Sequence, residues 1–240
     1  MTVHCVWEHN GPDTLLYAIE CPGAFARGAC LEDALAKLPE DVMNWLRWAG
    51  RDVPPSVSVV IAEEKASALA ICDADSDVLF AAEREPLTLA EYQTLKQLAL
   101  RSAEDFETLY RSIPDVSRSV LAVRSTFYGQ RPRTAQEMYC HTRSVNAYYF
   151  GEIGVEADND GSIAECRARG FAALEKQPGF LKNKVITGSY GEEWCLRKML
   201  RRFLWHDRIH ARAMRRMAAR TFPDYRLPEN LKNFSFCDII

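Results

Sequence analysis

The chain has 240 residues, 48% of them hydrophobic and 26% charged, with a formal net charge of -3. That length suits one large domain or two modest ones, each able to bury a core. The near-neutral balance gives no general pull toward nucleic acid or an anionic membrane, and no apolar run approaches the ~20 residues that span a bilayer.

The opening stretch MTVHCVWEHNGPDTLL carries neither the basic start nor the apolar segment of a signal peptide, so a cytoplasmic location is expected. Residues 1–85 then read as a small α+β domain. TVHCVWEH and TLLYAIE alternate in polarity around NGPD, a strong turn signal, and predict a hairpin. CPGAFARGA is a stretch punctuated by Gly and Pro. CLEDALAKLPEDVMNWLRWAG has helical spacing through Leu31, Ala34, Leu35 and Leu38, with Pro39 breaking or restarting the helix. SVSVVIAEE and ALAICDADSDVLFAAE supply two more strand candidates, giving a ββαββ-type sheet with its helix on one face; the acidic run DADSD is taken as a turn between strands.

After REPLTLAEYQ the pattern changes. Thr88 with Glu91 forms a capping box, followed by helical spacing through Leu95, Ala99, Ser102, Phe106, Leu109 and Ile113. Thr134 with Glu137 opens a second helix and Ser162 with Glu165 a third, which stops before Pro178-Gly179. A fourth is expected from near Gly191 to about Arg220. Residues 86–222 therefore read as an antiparallel four-helix bundle with one long connection at 114–133, part of which, FYGQRPR, is placed to cover the bundle mouth. Residues 223–240 read as a tail packing back on the body. The eight cysteines (Cys5, Cys21, Cys30, Cys72, Cys140, Cys166, Cys195 and Cys237) include no CxxC pair, and without an export signal they are expected to be reduced and mostly buried. NDGS at 159–162 is a turn and N-cap rather than a calcium loop.

Histidines carry the chemistry. A helix advances about 100° per residue, so His206 and His210 lie about 40° apart on one face, with Met199, Phe203, Ala213 and Met217 nearby. Arg197, Arg201, Arg208, Arg212 and Arg215 point the other way and read as a solvated basic face. On the second helix His141 shares an apolar stripe with Met138, Val145 and Tyr148. Imidazoles pointing into a core need partners. Three neutral ones around a divalent ion, with positions left open, are a precedented catalytic arrangement. An ion there would activate a water or hold a thiolate at neutral pH. His4 and His9 fit no such scheme. Tyr148 is a candidate to donate a proton or contact substrate, Arg202 a candidate to grip an anionic substrate, and Glu152 either a base or a surface residue.

TAQEMYCHTRSVNAYYFGEI followed by LRRFLWHDRIHARAMRRM resembles the DinB-like superfamily over about residues 88–220. The resemblance implies a metal-binding four-helix bundle with His141, His206 and His210 as ligands to Zn or Ni. It also implies a small-molecule substrate and a low-molecular-weight thiol cosubstrate, hence a thiol-dependent S-transferase that uses the thiolate; the chemistry of the site leaves open a hydrolase that uses the metal-bound hydroxide. YAIECPGAFARGACLEDALAKLPEDV is similar to HicB-like domains, although a helical region stands where such proteins carry a DNA-binding module. The alternative is a non-catalytic binding or regulatory protein with a structural or vestigial metal site. A homodimer is left open by either reading.

Overall fold

The computed structural model describes residues 1–126 and 129–235. Its fold is α+β, with a mixed four-stranded sheet at the N-terminus and five α-helices. β1 (Thr2–Asn10) and β2 (Asp13–Ala18) form the expected antiparallel hairpin, closing at Asn10 opposite Asp13. β3 (Phe25–Gly28) follows, then α1 (Leu31–Trp48) and β4 (Ser58–Ala66). The strand order is β3-β2-β1-β4, with β4 parallel to β1.

This corrects the ββαββ reading twice. The Gly/Pro stretch contains β3, whereas ALAICDADSDVLFAAE forms short 3-10 turns at Ile71–Asp73 and Ala81–Arg84 and no strand. The helix α1 also runs uninterrupted through Pro39. Proline removes one backbone bond at a cost of ~3 kcal/mol, and burial of Leu38, Val42 and Trp45 in the same helix outweighs it.

Both faces of the sheet are covered, and the period of two decides which residue goes where. Val3, Cys5, Leu16 and Ala18 pack under α1. Val6, Leu15 and Tyr17 meet Ile71, Val78 and Phe80 on the opposite side, together with Trp205 from the last helix. The region 69–80 is thus a wall laid over the sheet.

The remaining helices are α2 (Leu89–Arg111), α3 (Ala135–Gly151), α4 (Ile163–Leu174) and α5 (Leu196–Thr221). All three capping boxes form as the sequence indicates. α5 starts later than expected, because residues before it form a two-stranded hairpin of β7 (Ile186–Thr187) and β8 (Glu193–Trp194). A second small hairpin, β5 (Ser125–Thr126) with β6 (Gly129–Gln130), lies in the long connection. α5 packs on α2 and α3, and α4 packs on the same two helices. One apolar cluster runs from Val3 through Phe106, Met138 and Met217 to Leu231 and Phe234. Cys237 and the rest of 236–240 lie outside the described residues, as do Phe127 and Tyr128 of FYGQRPR. No described helix is long and apolar enough to cross a membrane, and the described cysteines are all unpaired.

The arginine run on α5 is not solvated. Arg208 and Arg201 are 0% and 3% exposed. Arg208 Nη2 donates to Asp41 Oδ1 on α1 at 2.9 Å and Nη1 donates to the Gly23 carbonyl at 2.8 Å. Arg212 also pairs with Asp41. Arg201 Nη2 donates to Glu83 Oε2 at 3.0 Å and to the Val78 carbonyl at 2.9 Å. Arg197 reaches the Glu85 carbonyl at 2.9 Å, and Arg215 the Ser235 carbonyl at 3.2 Å. The face opposite the histidines is therefore where the N-terminal sheet and the tail are fastened. Its charges persist in a buried setting because each is answered by a carboxylate or a carbonyl. Contact is close: a Cβ at Gly23, where φ is +91°, would stand 2.6 Å from Leu204 Cβ on α5.

Candidate metal centre

The N-cap at Thr134 sets the phase of α3, so that Met138, Val145 and Tyr149 turn inward. His141 shares that side. On α5 the buried Met199, Phe203 and Met217 fix the rotation that brings His206, 7% exposed, and the half-buried His210 toward it. The three rings converge, with centroids 4.4 Å apart for His206–His210, 4.7 Å for His141–His210 and 5.1 Å for His141–His206.

Each histidine offers one nitrogen, and all three nitrogens lie within 4.8 Å of one another. The Nε2 atoms of His141 and His206 are 3.3 Å apart. Two nitrogens each ~2.0–2.1 Å from a tetrahedral zinc would be separated by about 3.3–3.4 Å, so this pair already has a ligand-like spacing. Burial pushes the imidazolium forms of all three histidines down, well below 6.5 for His206 and His210, where the neighbouring imidazoles add to the effect. At pH 7 the rings are therefore neutral and their lone pairs are available, as a ligand requires. Nδ1 of His206 is buried with no hydrogen-bond partner among the described residues. The donor set fits a divalent ion.

Beneath His206 lies a polar network that sequence reading did not single out. Arg167 on α4 and Asp207 on α5 are both 0% exposed. Nη1 and Nη2 of Arg167 donate to Asp207 Oδ2 and Oδ1 at 2.5 and 3.0 Å, Nη1 also to the Ala99 carbonyl of α2 at 2.8 Å, and Nε to Asn146 Oδ1 of α3 at 3.1 Å. Ser102 of α2 completes the set through Asp207. Four helices thus share one ion pair, and it sits next in sequence to a histidine of the site. Spacing held the signal: Ile163, Cys166, Arg167 and Gly170 share one stripe, as do Phe203, Asp207, Ala211 and Met214, which places both charges inward.

The histidines face a cavity of about 750 Å³. Tyr148 and Arg202 line it as well. The Tyr148 hydroxyl is pushed up by burial first and by Glu152 second, and keeps its proton through neutral pH. Arg202 Nη1 donates to the Ser76 carbonyl at 2.8 Å, and its guanidinium lies 4.9 Å from the Trp205 ring centroid. Glu152 does not line the cavity. It is 3% exposed and its carboxylate accepts from Ser189 N at 2.8 Å and Ser189 Oγ at 2.6 Å, clamping the loop before α5, which corrects both roles considered for it. DADSD lines the cavity as well, together with Leu69 and Cys72. Its function as lining was not visible in sequence, because only the fold carries it over α5. Arg27 of β3, Arg131 of the connection and the 84%-exposed Tyr190 of the β7–β8 loop complete the rim. His4 and His9 lie apart, paired with Glu20 and Glu64 at 2.6 and 3.1 Å. Set against known proteins, the chain matches no family model, no curated protein and no solved structure.

Proposed function

We propose that the protein is a metal-dependent enzyme of the DinB-like type, a thiol-dependent S-transferase acting on a small molecule in the cavity between the helices and the N-terminal sheet. On this reading α2–α5 are the family's four-helix bundle, and a HicB-like N-terminal unit closes one side of the active site. The observation that carries it is the convergence of three neutral imidazole nitrogens within 4.8 Å at the wall of a 750 Å³ cavity. A bound divalent ion would supply Lewis acidity and a means of keeping a thiol deprotonated at neutral pH.

The chain's own residues provide the rest. His141, His206 and His210 present lone pairs because burial keeps them unprotonated. Tyr149 and Trp205 line the wall beside the histidines, and Tyr148, on the same wall, holds a proton on its Oη. Arg202 is oriented by Ser76, and so stays fixed as substrate enters.

A second reading rests on the His141–His206 contact itself. At 3.3 Å the Nε2 of one ring can donate to the Nε2 of the other, which would link the two without an ion in a purely structural role. Metal analysis of protein purified without a histidine tag separates the two, followed by turnover with a low-molecular-weight thiol and an electrophile. One equivalent of Zn or Ni, lost in His206→Ala together with thiol transfer, is expected. Protein that takes up neither ion when supplied with both would overturn the enzymatic reading.

A further inference from the structure

The cavity wall carries charges of both signs, and they are not equally engaged. Arg202 is committed to the Ser76 carbonyl and faces Glu192. Glu192 is also paired with Lys198 at 2.7 Å, and Asp73 with Arg124 at 2.6 Å. Asp75 faces Arg202 and Asp77. Two further arginines, from distant parts of the chain, line the same cavity. Arg27, on β3, bonds through Nη2 to the carbonyls of Ile71 and Cys72, which fixes its position without neutralising it. Arg131, half-buried in the long connection, has no hydrogen bond or ion pair through its guanidinium among the described residues.

These two cations act on each other. Arg131 is the strongest charged influence on Arg27, ahead of Asp73, and it is unfavourable. Arg131 also bears on His210 in the same unfavourable sense. Two half-buried guanidiniums turned toward one cavity, with repulsion between them and no carboxylate shared, are a costly arrangement unless an anion enters. Guanidinium presents planar paired donors that match carboxylate and phosphate oxygens.

We infer that the cavity takes a small molecule bearing an oxyanion, a carboxylate or a phosphate, and that Arg27 and Arg131 grip this group beside His210. The inference takes from the proposed function only that substrate occupies this cavity. It makes the N-terminal sheet a contributor to substrate selection, since one of the two arginines belongs to β3. It also assigns the anion grip to residues other than Arg202, whose Nη1 is already taken by the Ser76 carbonyl.

Isothermal titration of the untagged, metal-stripped protein with phenyl phosphate, benzoate and the neutral benzyl alcohol tests this. One of the two oxyanions binds and benzyl alcohol does not; which oxyanion binds identifies the group. Arg131→Gln and Arg27→Gln each weaken that binding by about tenfold or more, as loss of a charged hydrogen-bonding partner implies, and Arg131→Lys loses less. Arg131→Gln is the decisive variant, because the Arg131 guanidinium makes no hydrogen bond or ion pair among the described residues and the variant's melting temperature should match the parent's. His206→Ala keeps oxyanion affinity while losing metal. Failure of both oxyanions to bind, or unchanged affinity in Arg131→Gln, overturns the inference. Affinity lost in His206→Ala but kept in Arg131→Gln would place the anion on the histidines, overturning this inference while leaving the metal reading intact. Oxyanion binding by a protein that takes no metal would do the reverse.

Discussion

Replacing Asp207 by Asn removes one charge and almost no volume from the centre of the helical region. Arg167, 0% exposed, would keep its Ala99 and Asn146 acceptors but lose the carboxylate that faces two of its nitrogens at 2.5 and 3.0 Å. Its cation also lies 4.2 Å from the Phe203 ring, an environment with no water to replace what is lost. Breaking a buried pair by removing one partner typically costs ~3–5 kcal/mol, since the remaining charge is uncompensated. The amide oxygen retains one acceptor, which puts Asp207→Asn near the lower figure, about 3 kcal/mol. Against a total stability on the order of 5–15 kcal/mol, that is a large fraction. Urea denaturation followed by circular dichroism reads it as a lower midpoint at unchanged slope. The double variant Arg167→Met/Asp207→Leu should recover most of the loss, because no charge is then left unpaired. A shift below ~1 kcal/mol in Asp207→Asn would refute the claim that this pair is dry and structurally central.

Asp41→Asn strands Arg208 in the same way and should cost about 3 kcal/mol by the same assay, loosening the N-terminal sheet from α5; an effect under 1 kcal/mol would mean that water reaches the pair. Gly23→Ala combines a positive-φ penalty with contact against Leu204 and should destabilise by roughly 2–4 kcal/mol, read as a lower melting temperature. For the metal-free protein, the three histidines are depressed below their unfolded value of 6.5, so the unfolded chain binds more protons as pH falls. Their contribution is fully present above that pH and is lost below it, at up to ~1.4 kcal/mol per pH unit for each proton taken up. Stability measured from pH 7.5 to 5 should fall accordingly, and less steeply in His206→Ala; a flat profile would contradict the burial of these rings.

Legibility in the sequence followed the range of the interactions. The NGPD hairpin and the capping boxes at Thr88, Thr134 and Ser162 depend on neighbours a few residues away, and each formed where its local chemistry indicated. The histidine face was readable for the same reason, because four residues of helix fix an angle. The meeting of His141 with His206 was an inference from two apolar stripes. What failed depended on distant partners. Arg208 looks like any surface arginine until Asp41, on α1, is brought beneath it. DADSD looks like a turn because its role comes from lying across α5. β3 was missed since FARG is too short to show alternation, and its strand character comes from pairing with β2. Glu152 was ambiguous because the partner that claims it, Ser189, arrives from the loop before α5.

The central claim is that three imidazoles grip one ion. Crystals of untagged protein soaked in ZnCl2, with data collected on both sides of the zinc absorption edge, test it most directly. A single anomalous peak about 2.0–2.1 Å from one nitrogen each of His141, His206 and His210 is the predicted result. A map with no peak among those rings, or a zinc bound by only one of them, would contradict it.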